Sequence, residues 1–186
     1  MPTKQFFNLA DNECQFWRSF LYKDKEYCFE HLNSRKLSFT HPQRDESYTL
    51  YITISHHVFT TELAKTPKYT QAQIYPYKRS DLRVFSEKRY DLSFHLPQIL
   101  ATLPQQFCYH GGYSRYCICK LNDGNKEIFY QLVFRVWKSH KKIRFHIESA
   151  YPLSSRPGKT KKIKKVNFWV ICFNLQHGKK LPSPAR

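Results

Sequence analysis

Three apolar and aromatic segments separated by polar turns fill the second half of the chain, and they limit what it can fold into. Residues 107–121 and 127–138 are rich in Tyr, Phe, Val, Ile and Cys and flank Asn122-Asp123-Gly124-Asn125. Ser139-His140-Lys141-Lys142 then separates the second segment from a third, Ile143 to Tyr151. β-Branched and aromatic residues fit a pleated, half-buried surface, and Asn, Asp and Gly supply the backbone angles of tight turns. The pattern predicts consecutive hairpins, with a further strand over 166–175. Tyr48-Thr49-Leu50-Tyr51-Ile52-Thr53-Ile54-Ser55 has a period near two and predicts a strand as well, and Leu82 to Phe85 a short one. Together they make an antiparallel sheet of about four to six strands.

Helices complete the expectation. Asp11 and Asn12 can cap a helix carrying Cys14, Trp17, Phe20, Leu21 and Cys28 near one side and ending near Asn33. Residues 34–47, with Pro42, read as a loop, and residues 64–80, with Pro67 and Pro76, as an irregular connection. Asp91 or Ser93 can cap a short helix bearing Leu96, Ile99, Leu100 and Leu103, with Pro97 in its first turn. The class is α+β, with the N-terminal and central helices packed on one face of the sheet. A length of 186 residues suits one domain. The stretch 177–186 is expected to be a short disordered tail.

Lys and Arg number 31 against 14 Asp and Glu, a formal net charge of +17. Such self-repulsion is best relieved by a polyanion, and the commonest in a cell are nucleic acids and membrane surfaces, of which nucleic acid is the expected partner. No run of 18 apolar residues exists, and Met1-Pro2-Thr3-Lys4-Gln5 lacks the core of a secretion signal, so a soluble cytoplasmic protein with no membrane partner is expected. The six cysteines form no Cys-x-x-Cys pair, which fits buried thiols in a reducing compartment. Cys117 and Cys119, with Cys108 and His110 nearby, are the metal-like cluster, but their one-residue spacing departs from zinc knuckles. The sequence lacks the phosphate-binding loop, the dinucleotide Gly pattern, His-Glu-x-x-His and Gly-x-Ser-x-Gly. With Glu127 and Glu148 the carboxylates of the expected core strands, no carboxylate cage, metal or other cofactor is expected.

Basic residues gather in four places. Arg156-Pro157-Gly158-Lys159-Thr160-Lys161-Lys162-Ile163-Lys164-Lys165 has six in ten residues and reads as a flexible connector. Arg83, Lys88 and Arg89 interleave with Phe85 and Tyr90, and Lys138, Lys141 and Lys142 mark a hairpin end. On the third hairpin strand Arg144, His146 and Glu148 share one face, opposite Arg135 on its partner. Ser55-His56-His57-Val58-Phe59-Thr60 ends a strand, where alternation would send His56 and His57 to opposite faces. Metal-free RNA cleavage needs a base, an acid and cations for the phosphorane charge, and this sequence is rich in those groups.

Glu148-Ser149-Ala150-Tyr151-Pro152, after a basic aromatic hairpin, resembles the closing strand of compact bacterial ribonucleases of the barnase, RelE and colicin type. Combined with Ser55-His56-His57-Val58-Phe59-Thr60, it also resembles an uncharacterised group of bacterial mobile-element proteins. The resemblance implies His57, His146 and Tyr151 as acid/base groups and Arg135 or Arg144 as a phosphate clamp. The expectation is a nucleic-acid-directed protein, with RNA favoured, acting as a metal-independent endoribonuclease of toxin or defence type. The alternatives are a non-catalytic nucleic-acid-binding or regulatory protein, and a mobile-element protein binding an acidic partner such as an antitoxin. If the six cations of the 156–165 connector meet phosphates, the affinity for RNA falls with salt at a log–log slope of about −4 to −5, and a salt-independent affinity overturns that contact set.

Overall fold

A computed structural model of the chain describes residues 7–9, 15–78, 81–106, 108–111, 114–123, 126–154 and 165–181. The fold is mixed α/β and built mostly of strands. In chain order these are β1 (Phe7–Leu9), β2 (Gln15–Trp17), β3 (Phe20–Tyr22), β4 (Lys25–Tyr27), β5 (Arg35–Thr40), β6 (Ser47–Ile54), β7 (Thr60–Glu62), β8 (Ile74–Lys78), β9 (Asp81–Phe85), β10 (Cys108–Gly111), β11 (Ser114–Asp123), β12 (Lys126–Ser139), β13 (Lys142–Leu153) and β14 (Lys165–Val166). Among the described residues, three α-helices join them: α1 (Glu87–Ser93), α2 (Leu96–Ala101) and α3 (Phe168–Gln176). None of the described helices is long and apolar enough to cross a membrane.

The principal sheet has seven strands in the order β14-β10-β11-β12-β13-β6-β5. Its pairings are antiparallel except for β13 with β6, which run parallel, so the sheet is mixed. Tyr130, Leu132, Phe134 and Val136 of β12 and Ile143, Phe145 and Ile147 of β13 alternate into the core, as strand geometry requires. Between β12 and β13 the register shifts: Phe134 pairs with Ile147 and Val133 with Ser149, leaving Glu148 as the extra residue of a bulge. The buried series therefore changes phase from Ile147 to Ala150. His140 and Lys141 have φ of 49° and 62°, the two left-handed residues that a tight hairpin turn uses.

The first half diverges from the expected helix. Residues 20–27 form the hairpin β3–β4, turned at Lys23 and Asp24 with φ of 50° and 58°. Phe20 and Tyr22 are buried, as are Tyr27 and Phe29, while Leu21 is 68% exposed. The aromatic residues two apart decided the outcome over the helical spacing that includes Leu21. Residues 35–40, expected as a loop, form the edge strand β5, whose half-buried Arg35, Leu37 and Phe39 alternate with exposed Lys36, Ser38 and Thr40. Segment 168–176, expected as a strand, is α3. Its run is apolar on several sides and periodicity alone is ambiguous, but Phe168, Ile171, Cys172 and Leu175 are the buried set. The Asn167 side chain caps it by accepting from Trp169 N–H at 2.8 Å, and Gly178 at φ 67° follows it. Lys179 N–H donates to Asn174 C=O at 2.7 Å, which ties the start of the expected 177–186 tail to the end of α3; residues 182–186 lie outside the described residues.

A second, three-stranded sheet, β7-β9-β8, packs on the β3–β4 hairpin through rings. Phe85 lies 4.6 Å from Tyr27, 5.3 Å from Phe20 and 5.9 Å from Tyr90, measured between ring centroids, and Phe29 lies 4.3 Å from Phe59. Arene edges meeting arene faces stabilise such clusters beyond simple burial. Phe85→Ala is expected to destabilise the protein by about 3–5 kcal/mol, read as a lower urea midpoint at unchanged slope.

Candidate functional site

The parallel pair sets the position of the site. Strand β6 ends at Ile54, and Ser55 N–H continues its ladder by donating to Ile147 C=O at 2.9 Å. Ser55 then caps a single 3-10 turn, His56–Val58, its hydroxyl accepting from His57 N–H at 3.2 Å. Successive residues in such a turn are rotated by about 120° instead of a strand's 180°, so His56 and His57 do not diverge to opposite faces. Their rings lie 4.5 Å apart, and both turn toward Asp81, the first residue of β9. His57 Nε2 is 2.9 Å from Asp81 Oδ2 and His56 Nε2 is 3.3 Å from the same oxygen. His56 is buried, and His57 and Asp81 are half-buried.

Arg83 and Arg89 hold this corner. Arg83 Nη1 lies 3.8 Å from the other oxygen of Asp81, and its Nε donates to Thr60 Oγ1 at 3.0 Å; that hydroxyl donates to His56 C=O at 2.8 Å. Arg89 Nη1 donates to His57 C=O and Thr60 C=O, each at 2.7 Å, and the guanidinium lies 5.5 Å from the Tyr151 ring centroid. Burial pushes the Asp81 pKa up, but the hydrogen bond from His57 and the charges of His56, His57 and Arg83 outweigh it and leave the carboxyl below its ordinary value.

His146 stands on the adjoining face of β13, in register with Arg135 on β12 and Thr53 on β6. Its Nδ1 is 2.8 Å from Thr53 Oγ1. Burial lowers its pKa first, and the positive charges of Arg135 and His57 add to that against the opposing pull of Glu148. The neutral form of His146 is therefore favoured, and the ring lies within the electrostatic reach of His57. Arg135 pairs with Glu148, the bulge residue. Tyr151 accepts a hydrogen bond at its hydroxyl from Gln131 Nε2 at 2.9 Å. Arg144 lies farther along β13, its guanidinium 5.4 Å from the Tyr51 ring centroid, which Lys142 and Lys36 also approach, at 4.9 and 5.5 Å. Trp137, in register with Arg144, is 43% exposed.

Of the five residues expected to do chemistry, His57, His146, Arg135 and Tyr151 lie around the end of the β6–β13 pair, and Arg144 sits beside Tyr51 toward its start. The expected nucleic-acid contacts scatter more widely. Arg83 is buried and Arg89 half-buried, both committed to the corner just described, while Lys88 and Lys141 are exposed. Lys138 donates to Gln176 C=O at 2.6 Å, and Lys165 opens the edge strand β14. Arg156, Lys159, Lys161, Lys162 and Lys164 lie outside the described residues. Sequence reasoning missed Asp81 and Thr53 as partners and set His56 apart from His57. The legible signal was a His doublet at a strand end, but nothing local ties it to Asp81, 24 residues later.

Among the described residues, the group whose donor atoms converge within 4.8 Å of one another as metal ligands would is His56, His57 and Asp81. Cys108, Cys117, Cys119 and Cys172 are instead free, buried thiols. Burial pushes the Cys108 and Cys172 thiols up to about 12, and Cys119 Sγ donates to Gln106 Oε1 at 3.4 Å.

Fold and site together define a mixed α/β protein with a His–His–Asp corner set against a basic, aromatic sheet face. The chain belongs to the YjaZ family, whose model matches residues 19–176. It is 32% identical over 141 residues to Protein YjaZ of Escherichia coli (strain K12), an overlap covering 75% of this chain and 76% of that protein. No solved structure matches.

The His146 ring is expected to titrate below pH 6.5 in a histidine NMR series, because a buried site beside Arg135 penalises its cation. Arg135→Gln removes one of those penalties and leaves Glu148 unopposed, so the titration should move upward; an unchanged midpoint would refute the assigned cause.

Proposed function

We propose that the protein is a metal-independent endoribonuclease. Supporting this reading is the placement of two imidazoles in different electrostatic settings at one end of the β6–β13 pair. Burial and Arg135 favour the neutral form of His146, and His57 is oriented by a carboxylate. A neutral imidazole can take the 2′-hydroxyl proton of RNA while that oxygen attacks phosphorus. A protonated one can give its proton to the 5′-oxygen as the P–O5′ bond breaks, leaving a 2′,3′-cyclic phosphate and a free 5′-hydroxyl. In this scheme His146 is the base and His57 the acid, with Asp81 holding Nε2 so that Nδ1 exchanges the proton. Arg135 balances the charge that develops on the phosphoryl oxygens. The scheme favours RNA over DNA because its nucleophile is the 2′-hydroxyl.

The cations around Tyr51, with exposed Trp137 nearby, support binding of a phosphodiester chain on the same sheet, since a ring next to cations accepts a stacked base and a phosphate together. The overall excess of 31 basic over 14 acidic residues agrees with such a partner.

Total RNA incubated with protein in excess EDTA is expected to yield discrete fragments with 2′,3′-cyclic phosphate ends. His57→Ala and His146→Ala should each slow cleavage by about 100-fold or more. The rising limb of the pH–rate profile should lie below pH 6.5, since a base with a lowered pKa is deprotonated sooner as pH rises. Salt-sensitive RNA binding with no product, or full activity in both variants, would overturn the catalytic reading.

A further inference from the structure

The two histidines and Asp81 meet in a way that proton chemistry alone does not require. One carboxylate oxygen lies 2.9 Å from the ring nitrogen of His57, in a hydrogen bond, and 3.3 Å from that of His56, and both nitrogens are Nε2. Tetrahedral ligands bonded to an ion at about 2.0–2.1 Å lie about 3.3–3.4 Å from one another, so the His56 spacing already matches a shared cation and the His57 spacing, now that of a hydrogen bond, reaches it by opening about 0.4 Å, while all three donor atoms lie within 4.8 Å. The donor set is two imidazoles and one carboxylate, which suits zinc, cobalt, nickel or ferrous ions over magnesium or calcium. The surroundings supply what such a site needs: the second oxygen of Asp81 faces Arg83, and the backbone carrying the histidines is fixed by Ser55, Thr60 and Arg89. Three protein ligands leave further coordination positions open, as in zinc sites that bind an exogenous ligand.

We propose that His56 Nε2, His57 Nε2 and Asp81 Oδ2 form a binding site for a divalent transition-metal ion, and that occupation of this site withholds His57 from proton transfer. The second half rests on the ribonuclease reading, whereas the first does not. A metal on Nε2 takes that nitrogen from its contact with the Asp81 carboxylate and fixes the ring against a cation, so His57 cannot act as an acid while the ion is bound. Metal-free and metal-bound protein are then active and silent forms of one site.

The test uses the full-length protein stripped with EDTA and dialysed free of chelator. Co2+ titrated into it is expected to produce visible absorption bands of a four- or five-coordinate ion, and Zn2+ to abolish them by competition. Asp81→Asn, which keeps the side-chain shape, and His57→Ala, at a half-buried position, should each weaken Zn2+ binding at least about tenfold in calorimetry. His177→Ala, an exposed imidazole remote from the corner in sequence, should leave it unchanged. Absent bands in the wild type, or unchanged affinity in variants whose circular dichroism matches wild type, would overturn the site. Zn2+ should also suppress RNA cleavage by the wild type at the concentration that fills the cobalt-competent site. Undiminished cleavage by fully loaded protein would overturn the second half. Bands without cleavage in EDTA would sink the ribonuclease reading and leave the metal site standing, and cleavage without bands would do the reverse.

Discussion

The hydrogen bond from Ser55 N–H to Ile147 C=O is the contact on which the rest of the site depends. It extends the parallel pairing of β6 with β13 by one residue past the end of β6, and so places the turn bearing His56 and His57 directly beside the segment bearing His146. A chain that ended β6 two residues earlier would put the doublet elsewhere. Parallel pairing also requires a crossover, and here that crossover runs from residue 55 to residue 141, containing the second sheet, α1, α2 and strands β10, β11 and β12 of the principal sheet. The aromatic cluster around Phe85 holds that crossover against the β3–β4 hairpin, which keeps Asp81, at the start of the same strand as Phe85, in reach of the histidines.

Much of the architecture was legible where alternation, turn residues and aromatic content agreed. The β12–β13 hairpin and β6 follow directly from their patterns, and α2 from Pro97 in the first turn of a run with Leu96, Ile99 and Leu100. Where two periods competed, the pattern failed. Residues 14–28 carried both a helical spacing and an aromatic alternation, and the pull of Phe85, Phe59 and Tyr75, all distant in sequence, settled it for strands. The apolar run of α3 had no face to show, and its caps at Asn167 and Gly178 were the informative residues.

The site was legible by half for a related reason. His57, His146, Arg135 and Tyr151 lie on strands or at a strand end, where periodicity speaks to their direction. Asp81 and Thr53 acquire meaning only through tertiary contacts, and the 3-10 turn replaced the alternation that had separated the two histidines. Charge taught a similar lesson. Arg83 and Arg89 read as free cations among aromatic residues, yet their guanidinium groups are occupied with Thr60, His57 and Tyr151, so a count of basic residues overstates what the surface can offer to a polyanion.

The parallel pairing also governs when the site exists. Residues 143–147 must find residues 50–54 after roughly ninety intervening positions have been laid down, a late and entropically costly closure compared with the local hairpin β12–β13. During synthesis the N-terminal histidine doublet therefore leaves the ribosome long before its counterpart strand. A chain cut short before residue 142 carries the doublet and Asp81 without the strand that bears His146 and Tyr151, so the corner is assembled only once β13 has been made.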